Sequence, residues 1–203
     1  MSCFPFYIDI KGKKCVVIGG GSVAFRKIEK MIWFEPDITV IAPEISAEIY
    51  SIHGIRIIKR EFSDSDLDGA FFVITATNNK KLNERIFRMC IEKSILVNTV
   101  DDKEKCSFIF PAIAKRENIT ISVSTGGKSP IYTRYLRKQI ENLLDDRTDD
   151  IIEILAGVRS KIKREISVEE NRKLAFERIL AIALDDTDDV TDEKIEVIIG
   201  DLK

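Results

Sequence analysis

The stretch Lys14-Cys-Val-Val-Ile-Gly-Gly-Gly-Ser-Val-Ala-Phe-Arg-Lys27 constrains the fold more than any other part of the chain. Cys15, Val16, Val17 and Ile18 form an unbroken apolar run into Gly19-Gly20-Gly21, and an amphipathic helical pattern begins at Ser22. A short apolar run closed by glycine predicts a strand buried on both faces. A tight turn follows, then a helix whose first N–H groups lack intrahelical acceptors. The partial positive charge of such a helix start suits a pyrophosphate. Gly19-x-Gly21-x-x-Ala24 has the G-x-G-x-x-A spacing. Gly19 is expected to make the turn, Gly21 to let backbone approach phosphate, and Ala24 to let helix and strand pack closely. The reading is a dinucleotide site in its strand–turn–helix setting.

The pattern then repeats. Ile38–Ala42 reads as a second strand stopped by Pro43, Ile45 to His53 has helical spacing, and Ile55–Ile58 is a short third strand. Ala70–Ala76 is a strongly β-forming fourth strand. Asn78 or Asn79 caps a helix carrying Leu82, Ile86, Met89 and Cys90 on one face, and Leu96–Val100 is the fifth strand. Alternating strands and helices predict an α/β, Rossmann-like parallel sheet with ligands at the carboxyl ends of its strands. After Asp101 the spacing changes. Ser107–Ala114 and Ile119–Ser124 flank Arg116-Glu-Asn118 too closely for a crossover helix, so an antiparallel hairpin is expected. Ser129 as N-cap and Pro130 at the first helical position open another helix through Leu143. An acidic break at Asp145–Asp150 precedes two or three helical segments, around 151–163, 169–184 and 192–200. Both this run and Asp185–Asp189 are expected to be solvated loop. The expected organisation is a dinucleotide-binding domain over 1–110, a hairpin-plus-helix dimerisation region over 111–145, and a helical C-terminal domain over 146–203.

Composition narrows the function. The 44% hydrophobic and 33% charged content is that of a soluble globular chain. No apolar run approaches the roughly 18 residues of a membrane span, and no basic region followed by an apolar core begins the chain. Cys3, Cys15, Cys90 and Cys106 are scattered without C-x-x-C pairing, which predicts buried thiols of a reducing cytoplasm, no zinc site and no disulfide frame. The net charge of −2 conceals a front portion to residue 144 of +5 and a remainder of −7. That suits anionic small ligands and lacks the dense basic patch that nucleic acid needs.

Six segments carry a likeness: Gly19–Lys27, Thr39–Pro43, Ala76-Thr-Asn-Asn79 with Leu82-Asn83, Val97–Asp101, Ser107–Pro111 and Ser124-Thr-Gly-Gly-Lys-Ser-Pro130. In this order the chain closely resembles the precorrin-2 dehydrogenase family, which includes the amino-terminal half of the siroheme synthases. The likeness is strong over about residues 3–145. It implies an NAD-dependent oxidation of the tetrapyrrole precorrin-2 to sirohydrochlorin by a homodimer, while the composition above points to the cytoplasm and to neither nucleic acid nor membrane as partner. Position by position, it implies cofactor contacts at Ser22 and Val23, at Pro43 and Glu44, and at Thr77 and Asn78, with Asp101 as the catalytic residue. Three departures accompany it. Glu35-Pro36 replaces a family Gly-Ala, Thr125 replaces a regulatory serine, and no acidic residue ends the second strand to grip a ribose 2′-OH. Glu44 is the candidate substitute.

The residues support the same chemistry. Dehydrogenation removes a hydride and a proton; a nicotinamide takes the hydride and a side chain must take the proton. His53 is the sole histidine and lies away from every strand end, whereas Asp101 ends the fifth strand. By composition alone Asp102 is equally eligible. For a polycarboxylate substrate the candidates are the Thr125-Gly126-Gly127-Lys128 turn and Arg134 on the helix it opens, with Arg137 and Lys138 on the same face. Competing readings are a bifunctional enzyme that also inserts iron into sirohydrochlorin and a non-enzymatic dinucleotide sensor. The latter leaves Asp101 and the Thr125–Pro130 turn without a task. No metal ligand set is expected. Finally, an apolar hairpin after a complete sheet must bury its face, so a two-fold dimer through residues of about 111–144 is expected.

Overall fold

The computed structural model describes residues 4–185, 187 and 189–203. Cys3, and Asp186 and Asp188 of the second acidic run, lie outside the described residues. The chain divides into two compact units, Met1–Phe110 and Pro111–Lys203.

The first unit is built on five parallel strands: β1 (Lys14–Ile18), β2 (Asp37–Ile41), β3 (Arg56–Ile58), β4 (Phe72–Thr75) and β5 (Leu96–Thr99). Their order is β3-β2-β1-β4-β5, so the winding direction reverses between β1 and β4. Helix α1 (Ser22–Met31) covers one face. Its Ala24, Ile28 and Met31, spaced for a single stripe, pack on Cys15, Val17, Ile38, Val40 and Ile74. The opposite face meets α3 (Lys80–Glu92), whose Ile86 and Cys90 pack with Val16, Ile18, Ile41, Val73 and Val97. Both faces are covered, which is why these strands read as continuous apolar runs instead of alternating ones.

Between β2 and β3 the expected helix shrinks to α2 (Ala47–Tyr50). Ser46 gives its N–H to Gly20 O (2.8 Å), outside helical geometry, and the chain turns at Gly54 with φ +79°. The expected first hairpin strand is also shorter. Ser107–Pro111 runs instead along the edge of the sheet: Ser107 N–H donates to Val97 O (2.8 Å) and Asn98 Nδ2 to Phe108 O (2.9 Å). Phe108 and Phe110 close over the α1-side core, and Pro111, having no N–H, separates this run from the next strand.

The second unit holds the antiparallel pair β6 (Ala112–Lys115) and β7 (Thr120–Val123), with α4 (Pro130–Leu143) against both. Ser129 caps α4 by accepting from Tyr132 N–H (3.3 Å), with Pro130 at the first helical position. Three more helices follow: α5 (Asp146–Glu165), α6 (Glu169–Leu184) and α7 (Asp192–Asp201). Their core is Ile162, Ile166, Ala175, Ile179, Ile195 and Ile199. The first acidic run is not a loop. Asp145 caps α5 by accepting from Thr148 N–H (3.1 Å), and Asp146 and Asp149 occupy its first turn, where the helix dipole favours carboxylates. Arg116 of the hairpin turn donates to Asp146 (2.7 Å) and Asp149 (3.0 Å). Among the described residues, no helix is long and apolar enough to cross a membrane.

Candidate active site

The carboxyl edge of the parallel sheet collects most of the candidate residues of the first unit. The glycine turn leaves β1 here, and its three glycines differ in what surrounds them. Gly19 has φ +123°, and a Cβ there would lie 2.3 Å from Ala76 O at the end of β4. A Cβ at Gly20 would lie 2.1 Å from Glu44 O, which pins the turn to the loop after β2. At Gly21 a Cβ meets nothing within 4 Å. The α1 start is therefore open on the outer side, and no side chain caps it. Ser22 is exposed, Val23 is half-buried and Ala24 is fully buried under the helix, so Ala24 acts by letting α1 approach the sheet. The combination of open space at Gly21 and an uncapped helix start fits a dinucleotide pyrophosphate.

Two neighbouring loops flank this turn. After β2, Pro43 and Glu44 are exposed, and the Glu44 carbonyl faces the glycine turn. After β4, Asn83 of α3, 8% exposed, holds the loop: its Oδ1 accepts from Thr77 Oγ1 (2.6 Å) and its Nδ2 donates to Thr77 O (3.0 Å). Thr77 thus spends its hydroxyl internally, leaving exposed Asn78 as the side chain the loop presents. Asn79 is the cap of α3, accepting from Leu82 N–H (3.1 Å).

Asp101 follows β5, two strands from the glycine turn. It is one of three non-glycine residues with positive φ (+60°) among those described, a conformation Asp tolerates at some cost in strain. Its carboxylate is exposed and enters no hydrogen bond or ion pair among the described residues. Asp102 is committed elsewhere. Its carboxylate pairs with Lys105 (2.8 Å), which also reaches Glu84 (2.8 Å). The Lys105 hydrogen bond holds Asp102 below the usual carboxylate range, and Asp102 in turn raises Lys105. Geometry separates the two aspartates that composition left equivalent. His53 lies on the turn that enters β3, at the amino end of that strand.

Lys27 feels the charge of Asp101, with Cys106 and Phe110 next to it and Asn98 beside Cys106, and none of these four was a candidate on sequence grounds. Cys106 Sγ donates to Thr99 O (3.2 Å) and Asp102 O (3.1 Å), while Asn98 Nδ2 reaches Phe108 O. Lys27 stands 4.0 Å from the centre of the Phe110 ring. The only available signal was its place at the end of the glycine motif. Cys15 and Cys90 are buried, and burial pushes both thiols up, Cys90 to about 11.

The remaining candidates lie on the second unit, at the turn between β7 and α4. Gly126 and Gly127 both have positive φ (+60° and +75°). Thr125 Oγ1 accepts from Ser129 N–H (3.2 Å) and lies 2.9 Å from Thr133 Oγ1, so its hydroxyl shapes the turn. Lys128 and Arg134 are exposed, whereas Arg137 pairs with Glu141.

Known proteins align with this layout. A family described as putative NAD(P)-binding matches residues 6–112, and one described as sirohaem biosynthesis protein central matches 116–143. The siroheme synthase of Buchnera aphidicola subsp. Acyrthosiphon pisum is 37% identical over 182 residues, 88% of this chain and 38% of that protein. The siroheme synthase of Thioalkalivibrio sulfidiphilus is 36% identical over 183 residues, 89% of this chain and 37% of that protein. The chain thus spans somewhat over a third of the length of these relatives. A solved structure titled SirC, precorrin-2 dehydrogenase, superposes with a TM-score of 0.77 at 25% identity and covers 98% of each chain. With more than half of its length inside the first family match, the chain belongs to the family described as putative NAD(P)-binding, and its similarity to the siroheme synthases and to SirC runs on through the region behind it.

Proposed function

We propose that this chain oxidises precorrin-2 to sirohydrochlorin with NAD. One observation carries the reading: an unpaired carboxylate, Asp101, is held in left-handed backbone at the carboxyl edge of the sheet that also bears the open, uncapped glycine turn. Family membership and the SirC likeness support it.

The backbone of Gly21, Ser22 and Val23 would hold the pyrophosphate, Pro43 and Glu44 the adenosine side, and Asn78 with the Thr77 backbone the middle of the dinucleotide. When bound, NAD supplies the acceptor for the hydride that leaves a tetrapyrrole carbon. Asp101 receives the accompanying proton on a carboxylate oxygen, so the substrate loses two hydrogens in all. Asp102 keeps Lys105 engaged and takes no proton. The Thr125–Lys128 turn and Arg134 are assigned to substrate carboxylates, with the Lys128 and Arg134 cations as the recognising chemistry.

We assign assembly to the second unit in the same spirit. Residues of about 111–144 form a two-fold dimer interface, and 146–203 form a helical domain behind it. Ile131, Tyr132, Tyr135 and Leu143 of α4 are all more than half exposed, which supports a partner surface. An anaerobic absorbance assay tests the activity: precorrin-2 with NAD should yield sirohydrochlorin, and iron added afterwards reads insertion separately. Absence of sirohydrochlorin would refute the dehydrogenase.

A further inference from the structure

Lys27 projects from the second turn of α1 over the Phe110 ring, half-buried, and no carboxylate pairs with it among the described residues. A partly desolvated ammonium is costly unless an anion completes its shell, and an aromatic face supplies only part of what water gave. Its titratable neighbours are Lys30 and Arg26 on its own helix, and Asp101 and the Cys106 thiol on the segment after β5. Burial, reinforced by Lys30 and Arg26 and opposed by Cys106 and Asp101, pushes the Lys27 ammonium down to about 8. Asp101 acts on it through space without forming an ion pair. A cation thus stands incompletely paired beside the residue assigned to take the proton.

We propose that Lys27 is the receptor for one carboxylate of the tetrapyrrole, and that this ion pair sets the adjacent ring against Asp101. The inference rests on the precorrin-2 reading above and adds a substrate contact beside Asp101. An aspartate that must meet one carbon of a large, pseudo-symmetric ring needs a fixed point nearby. A charge-assisted contact at Lys27 supplies it on the same unit as Asp101.

The test titrates sirohydrochlorin, followed by its own absorbance and without NAD, into the wild type, Lys27→Met and Lys27→Arg across about pH 6.5 to 9.5. Wild-type affinity should fall as pH rises through about 8, where the ammonium is lost. Lys27→Met should bind at least about tenfold more weakly near pH 7, a factor corresponding to about 1.4 kcal/mol, and should lack that step. Lys27→Arg keeps the charge at all these pH values, so it should retain affinity and also lack the step. NAD affinity, read by calorimetry, should be the same in all three. Wild-type binding by Lys27→Met, or an unchanged pH step in Lys27→Arg, overturns the assignment of Lys27. Failure of the wild type itself to bind sirohydrochlorin would instead overturn the precorrin-2 reading.

Discussion

A Cβ added at Gly20 would lie 2.1 Å from a backbone oxygen, whereas one at Gly21 would meet nothing within 4 Å. Substitutions at these neighbours should therefore separate folding from binding. Gly20→Ala forces the glycine turn away from the Glu44 loop and should cost about 1–3 kcal/mol, the usual range for overpacking. Gly21→Asp places a favoured N-cap residue where the backbone is already extended, at φ −93°. It should leave thermal stability unchanged or slightly raised while removing NAD binding, because its carboxylate takes the helix N–H groups and repels phosphate. Thermal melts paired with NAD calorimetry check both. At Asp101 the informative change is Asp101→Asn, since asparagine also tolerates left-handed backbone and alanine adds strain. Turnover of precorrin-2 should drop at least about tenfold, toward the 10²–10⁴ typical of positioned acid–base groups, with NAD affinity held. Wild-type turnover in that variant would remove Asp101 from catalysis.

The start of α5 shows how an acidic run becomes an element instead of a loop. Asp145 caps the helix, Asp146 and Asp149 sit in its first turn, and Arg116 and Asn118 of the hairpin turn tie on to them. The Asn118 N–H, then Arg116, hold the Asp149 carboxyl below its ordinary value. A carboxylate depressed in the folded state stabilises the protein above its unfolded pKa, near 3.9, and that contribution disappears as pH falls through the lower folded value. Asp149→Asn should therefore lower the urea midpoint at neutral pH and converge with the wild type near pH 2. An equal deficit at both pH values would mean that the charge of Asp149 is not what matters. The hairpin offers the complementary lesson. Its apolar run reads as one long strand from Ser107, yet Pro111 divides it, and Phe108 and Phe110 serve the core of the first unit.

For the molecule as a whole, the assembly is the property most exposed to test. In the second unit, β6 and β7 are only partly buried apart from Ala114, and no α4 residue is fully buried. Tyr132 and Tyr135 stack with centroids 5.9 Å apart on the exposed side. A surface of this kind is expected to be covered by a second copy, giving a mass by light scattering of twice 23.1 kDa. Replacing Ile131 and Leu143 together with Lys should shift the mass to that of the monomer. A wild-type mass of 23.1 kDa at micromolar concentration would refute the dimer.

Local periodicity was enough to read the strand and helix order, the glycine turn, the Ser129–Pro130 start of α4 and the position of Asp101 at the end of β5. Each depends on residues only a few places apart, and a parallel sheet covered on both faces follows from their alternation. Contacts between distant residues were not legible in this way. Folding alone distinguishes Gly20, held against Glu44, from Gly21, which faces open space, and turns an apparent acidic break into a helix start. It also ties up Asp102 with Lys105 and Glu84 while Asp101 stays unpaired, and it brings Lys27 of α1 to Phe110 and the end of β5. Sequence spacing carries the backbone's periodic demands. Which charge finds a partner depends on the packing of elements far apart in the chain.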